Sequence, residues 1–361
     1  MTADRDQDML DILFTPTRLG RIELANRFVM APMTRSRADS DGSPNALMLE
    51  YYRQRASAGL ILTEGCQPSA DGQGYCRTPG MHTAAHVKAW RGVCDAVRER
   101  GGRIALQLMH CGRVAHPLNK QAGTRTLAPS AIAARSEIFT EQGMQPCVEP
   151  EAMTATDIDV AISDYRRATE MAFEAGFDGV ELHATSGYLP AQFLSSGSNH
   201  RSDEWGGSLE ARLRFTLEVM SAIASVDGPD RVGIRICPGN PFNDLQDDDP
   251  DQTFRALLTE LSVQPWAWLH VIRTPATERG NLDLAREAFD GTRLYNESFS
   301  PGEAAKIIES GEAQAVSFGR PFIANPDFVE RIKAGLPLIN FNAKTLYSPG
   351  PEGYTDYLPA Q

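Results

Sequence analysis

No stretch of this chain is apolar for long enough to span a bilayer, and its first ten residues, MTADRDQDML, are polar and acidic, without the apolar core of a secretory leader. Secretion and membrane insertion are disfavoured, and a cytoplasmic address is expected. Basic charge is also short: 47 Asp and Glu against 35 Lys and Arg leave a formal net charge of -12. Nucleic acids and acidic membranes are held by clustered Lys and Arg, so neither is an expected partner, and small-molecule substrates are. The six cysteines (Cys66, Cys76, Cys94, Cys111, Cys147 and Cys237) form no CxxC pair and no disulfide-rich cluster, and are expected to be reduced packing residues. His82 and His86 have the spacing of two ligands on a helix face, but no third ligand is placed to join them, so no metal site is expected. Linkers rich in Pro, Gly or Ser, low-complexity tracts and clear repeats are missing too, which argues for a single domain over residues 1–361.

What is present is ample material for a core, 42% hydrophobic residues in 361. The most informative stretch is FDGVELHATSGYLPAQFL, Phe177 to Leu194. Upstream of it, Thr154 to Gly176 reads as a helix, with Thr156 and Asp159 as a capping box and Gly176 as the stop. The strand that follows ends at His183. Eight such short apolar runs are expected strands: Phe28–Ala31, Leu60–Thr63, Ile104–Leu108, Gly179–His183, Val232–Cys237, Trp268–Ile272, Arg293–Tyr295 and Ala315–Phe318. Helical patterns separate most of them, only weakly so around Leu282 to Phe289. Alternation of this kind is the signature of an α/β protein, a (β/α)8 TIM barrel. Phe14 to Arg27 reads as an N-terminal β-hairpin plugging one end, and the longest excursion, about 111–154, follows strand three.

Barrel chemistry sits at the C-terminal ends of the strands. Gln107 closes strand three, Glu181 and His183 close strand four on one face, and Arg235 lies late in strand five, so that Glu181 and Arg235 are expected to meet inside the barrel. Asn296-Glu297-Ser298 and Phe318-Gly319-Arg320 end strands seven and eight, where barrels commonly bind a phosphate.

These residues stand in segments that are specific together: NRFVMAPMTRSRA, YYRQRASAGLILTEG, GGRIALQLMHCGR, DYRRATEMAFEAGFDGVELH, RSDEWGGSLEARLRF, RVGIR and FGRPFIANPDF. Through them nearly the whole chain resembles the Old Yellow Enzyme family of FMN-dependent ene-reductases, including its N-ethylmaleimide reductase-like members. The resemblance implies FMN across the barrel mouth. Pro32, Met33, Thr34 and Gly65 would lie along its ring, Gln107 and Arg235 at its pyrimidine edge, and Asn296, Ser298, Phe318, Gly319 and Arg320 at its phosphate end. It further implies reduction of the flavin by NADPH or NADH, then hydride transfer from flavin N5 to an α,β-unsaturated carbonyl, imide or nitro compound. His183 and Ser186 would hold the substrate oxygen, Tyr188 would supply the proton, and Met109 and Tyr347 would line the pocket. Nicotinamide preference and oligomeric state stay open, the family including monomers, dimers and larger assemblies.

Four residues, at three places, depart from the family pattern. Ser186 replaces the usual His or Asn donor, Met109 stands where Trp is frequent, and Glu297-Ser298 replaces a Gly-Gly pair. A lost oxyanion donor commonly costs about 2.7–4 kcal/mol of barrier, so a specialised biosynthetic reduction, desaturation or isomerisation is the alternative function. A carboxylate at Glu297 is expected to weaken FMN binding unless it faces solvent, with the backbone there taking another turn.

Overall fold

The computed structural model describes residues 9–273 and 280–360. Of the acidic opening stretch read above as no leader, only Met9 and Leu10 fall within them. Eight parallel strands close into a barrel in chain order: Phe28–Met30, Leu60–Cys66, Ile104–Leu108, Gly179–His183, Val232–Ile236, Trp268–Ile272, Arg293–Asn296 and Ala315–Phe318. They are called strands one to eight here. Nearly every residue in them is buried, as apolar runs covered on one face by helices and on the other by the barrel interior must be. Strand eight pairs back onto strand one, Val316 opposite Phe28, so the barrel leaves no open edge.

The hairpin Thr17–Leu19 with Ile22–Leu24 packs Leu19, Ile22 and Leu24 onto Leu60, Ala105, Trp268 and Leu294, closing the N-terminal end of the barrel. Between strands three and four the excursion carries a second hairpin, Glu137–Thr140 with Gly143–Pro146, which stands beside the barrel mouth. The helix Ala155–Ala175 starts two residues earlier than its sequence suggests. Thr154 and Asp157 form the capping box, not Thr156 and Asp159, because Thr154 alone has the extended backbone of an N-cap. Gly176 ends the helix at φ 100°. The weak pattern after strand six is a real helix, Asn281–Ala288, which buries Leu284 and Ala285. Among the described residues no helix is long and apolar enough to cross a membrane.

Candidate active site

Period two along strand four turns Glu181 inward, and its carboxylate becomes the centre of a buried polar layer under the barrel mouth. Gln107 Nε2 donates to Glu181 Oε1 at 2.9 Å, and Trp268 Nε1 donates to Oε2 at 2.7 Å. Glu181 and Arg235 interact inside the barrel as expected, but through His270, which stands between them. His270 Nδ1 donates to Glu181 Oε2 at 2.8 Å, its Nε2 accepts from Ser317 Oγ at 2.8 Å, and Arg235 Nη1 lies against the ring, 2.5 Å from Nε2 and 3.0 Å from Nδ1. Burial and the Arg235 charge hold His270 below its ordinary value, to about 4, so a neutral ring joins the two ions. Burial alone would raise the Glu181 carboxyl, but His270, Arg235 and Trp268 hold it below the usual carboxylate range. His270 is legible in sequence only after strand six is fixed, two residues past the inward Trp268 and opposite Arg235 in register.

Arg235 is completed by Asn296, whose Oδ1 accepts from Nη2 at 2.7 Å while its own amide donates to Ser317 O at 2.9 Å. The Asn296 side chain is therefore engaged in bracing Arg235. Gln107 is likewise oriented: with Nε2 fixed on Glu181, its carbonyl oxygen is left to face a donor.

Above this layer opens a cavity of about 810 Å³. Of the residues singled out from the sequence, Pro32, Thr34, Gln107, Met109, His183, Ser186, Tyr188, Arg235 and Tyr347 line it; Met33, Gly65, Asn296, Ser298, Phe318, Gly319 and Arg320 do not. A Cβ at Gly65 would lie 2.5 Å from Met109 Sδ, so this glycine makes room for the methionine side chain. Phe318 turns its ring onto Phe28 and Phe328, into the hydrophobic core.

His183 Nδ1 is buried with no hydrogen-bond partner among the described residues. Burial, then the Arg235 charge, pushes the imidazole down to about 3, so the ring is neutral and carries one N–H donor. Its ring centroid lies 4.8 Å from that of Tyr188, edge to face. The Tyr188 hydroxyl donates to Tyr75 Oη at 3.1 Å, and burial raises its pKa well above the ordinary tyrosine value. Ser186 takes a left-handed φ of 59° and Gly187 one of 77°, a turn that aims both His183 and Tyr188 at the cavity's side of strand four. Asn243, from the loop after strand five, holds that turn by donating to Ser186 O at 2.8 Å. Tyr75 and Asn243 escaped sequence reasoning because both lie in irregular segments with no periodicity.

At the ends of strands seven and eight, Glu297 and Ser298 keep left-handed backbone, φ 85° and 56°. The turn is thus one that glycines adopt freely, occupied by two residues with side chains. Glu297 is 36% exposed and still turns toward a cation. Its carboxylate accepts from Arg320 Nη2, and Ser298 Oγ lies 2.9 Å from the same nitrogen.

A model of the NADH:flavin oxidoreductase / NADH oxidase family matches residues 12–338. A probable flavin mononucleotide-dependent alkene reductase from Leishmania infantum is 43% identical over 96% of this chain and 97% of its own length. A 12-oxophytodienoate reductase, number 7 of Oryza sativa subsp. japonica, is 37% identical over 96% and 94%. Among solved structures, morphinone reductase in complex with tetrahydroNAD superposes with a TM-score of 0.92 at 43% identity, covering 97% of this chain and 98% of that one. The old yellow enzyme homologue of Zymomonas mobilis gives 0.92 at 36% identity, over 96% and 99%. Fold and comparisons together define an FMN-dependent oxidoreductase built on a TIM barrel, with a nicotinamide as reductant. The chain belongs to the Old Yellow Enzyme family.

Proposed function

We propose that the enzyme reduces the C=C bond of α,β-unsaturated carbonyl, imide or nitro compounds, and that Tyr188 supplies the proton. The observation that carries this reading is His183: a neutral imidazole at the end of strand four, on the cavity wall, with a buried nitrogen that lacks a partner among the described residues and with Tyr188 packed against its ring. Buried polar atoms are seldom left unpaired, so such a ring awaits a ligand. Relatives named as alkene, 12-oxophytodienoate and morphinone reductases support the substrate class.

The hydride would come from bound FMN, reduced beforehand by NADPH or NADH. Pro32 and Thr34 on the cavity wall, with Met33 and Gly65 behind them, would seat its ring, Gln107 would meet the pyrimidine edge with its free carbonyl oxygen and Arg235 with its charge, and Ser298, Gly319 and Arg320 would hold the phosphate. Around it the chain's own groups divide the work. His183 donates to the substrate oxygen and draws electron density from the β-carbon, and the Ser186 hydroxyl is the second donor. Arg235, cationic at every working pH, holds negative charge on the cofactor side. Tyr188, kept protonated by burial, turns its hydroxyl from Tyr75 to give its proton to the α-carbon, and Tyr75, 3.1 Å away, turns its own hydroxyl to donate to the resulting oxygen. Met109 and Tyr347 shape the pocket from the walls.

The test is anaerobic. The purified protein is expected to be yellow, to bleach with NADPH or NADH, and to regain its colour with 2-cyclohexenone. Bleaching without recovery refutes the generalist reading. A second reading, a dedicated biosynthetic FMN enzyme, is favoured by the short Ser186 hydroxyl in a left-handed turn tied to Asn243. A panel of activated alkenes separates the two, a generalist turning over many and a specialist almost none.

A further inference from the structure

The turn after strand seven carries a feature that alkene reduction does not call for. Glu297 and Ser298 hold a left-handed backbone at a free-energy cost that glycine would not incur. Arg273 secures that turn, donating through Nε to Glu297 O at 3.2 Å and through Nη2 to Ser298 O at 2.7 Å, with its guanidinium over the Phe299 ring at 3.9 Å. Arg273 is spent on these carbonyls and on Glu303, and Arg320 is the cation paired with the Glu297 carboxylate. The Glu297 carboxylate already occupies it, steadied by Ser298 Oγ at 2.7 Å.

We propose that Glu297 is an internal anion held on the cation meant for the flavin phosphate, so that FMN seats by displacing a carboxylate. The inference rests on the reading that Arg320 meets the phosphate. A carboxylate and a phosphate cannot share one guanidinium without repulsion, so Glu297 must swing away as the phosphate arrives and stays nearby as a like charge. The phosphate then adds less to affinity than Arg320 would otherwise provide. Riboflavin, which has the same ring and no phosphate, is indifferent to this exchange. The device makes the cofactor exchangeable at one defined contact without altering the ring's own site.

The test compares FMN with riboflavin. Full-length protein, freed of flavin, is titrated with each while flavin fluorescence is followed. In E297Q the side-chain shape and the Arg273 clamp on the backbone persist, and only the charge is lost. The expected result is FMN binding tighter by about five- to tenfold, with riboflavin unchanged within about twofold. R320Q is expected to weaken FMN and leave riboflavin alone. If E297Q binds FMN as the wild type does, or tightens both flavins equally, while R320Q still loses its preference for FMN, the internal-anion inference is wrong and the phosphate assignment stands. If R320Q keeps the wild-type preference, the phosphate lies elsewhere and both fall.

Discussion

At the scale of single residues, the site is a set of protonation states fixed by burial. His183 and His270 are both pushed well below ordinary imidazole values, and Tyr188 is pushed above the tyrosine value, all chiefly by desolvation. Near neutral pH none of the three titrates, so the donors are constant while the chemistry proceeds. Tyr188→Phe is expected to slow reoxidation of the reduced enzyme by an enone by about 10²–10⁴, and to leave its reduction by nicotinamide nearly unchanged. Stopped-flow absorbance resolves the two half-reactions, and equal slowing of both would remove Tyr188 from the proton step. Ser186 invites the opposite change. Its φ of 59° is one that Asn tolerates better than most residues, and Asn carries a longer donor. Ser186→Asn is therefore expected to fold as well as the wild type and to raise kcat on cyclic enones, in steady-state assays, by up to the hundredfold scale of one oxyanion donor. An unchanged or lower rate would mean that the pocket is built for another substrate shape.

At the scale of elements, the helix Ala155–Ala175 shows what pattern can and cannot locate. Its apolar face and Gly176 stop were legible, yet its start was placed on Thr156. Both Thr154 and Thr156 precede a suitably spaced aspartate, and only backbone conformation decides which is the cap. Thr154→Ala is expected to cost about 1 kcal/mol in urea unfolding, and Thr156→Ala, on the exposed first turn, well under half of that. Equal losses would mean the cap is shared. The strands were legible to within a residue or so except strand two, which runs on to Cys66 through a register shift between Leu62 and Gly65. Such an irregularity obeys no period. The site divides the same way: Gln107, Glu181, His183 and Arg235 stand at strand ends and follow from fold and alternation. Tyr75, Asn243 and the Arg273 clamp depend on loop paths, and His270 on knowing which way strand six faces.

At the scale of the whole molecule, the cavity is closed on one side by residues 345–353, drawn across the barrel from the far end of the chain. Arg35 Nη2 donates to Gly353 O at 2.7 Å, Arg37 reaches the carbonyls of Thr345 and Leu346 at 2.8 and 2.7 Å, and Arg77 reaches Tyr347 O at 2.8 Å. Beneath this anchor, next to Gly65, lies the fully buried Glu64, held by the Arg35 backbone N–H at 3.3 Å and by the Tyr52 hydroxyl at 3.3 Å. Burial raises its carboxyl to about 7 despite the attraction of Arg35 and Arg37. In the unfolded chain it titrates near 4.5. Between those two values the folded protein keeps a proton that the unfolded chain has released, so stability falls as pH rises from 4.5 to 7 and is level above. The loss from this one group is on the order of 3 kcal/mol. Glu64→Gln, like the protonated acid, keeps one carbonyl oxygen as acceptor for one of the two donors, and cannot ionise. It is expected to match the wild type in thermal unfolding near pH 4.5 and to exceed it by several degrees at pH 8, because only the wild type must then bury a charge or unfold to expose it. A Tm difference that is the same at both pH values would show that Glu64 is ionised throughout, with Arg35 and Arg37 outweighing its burial.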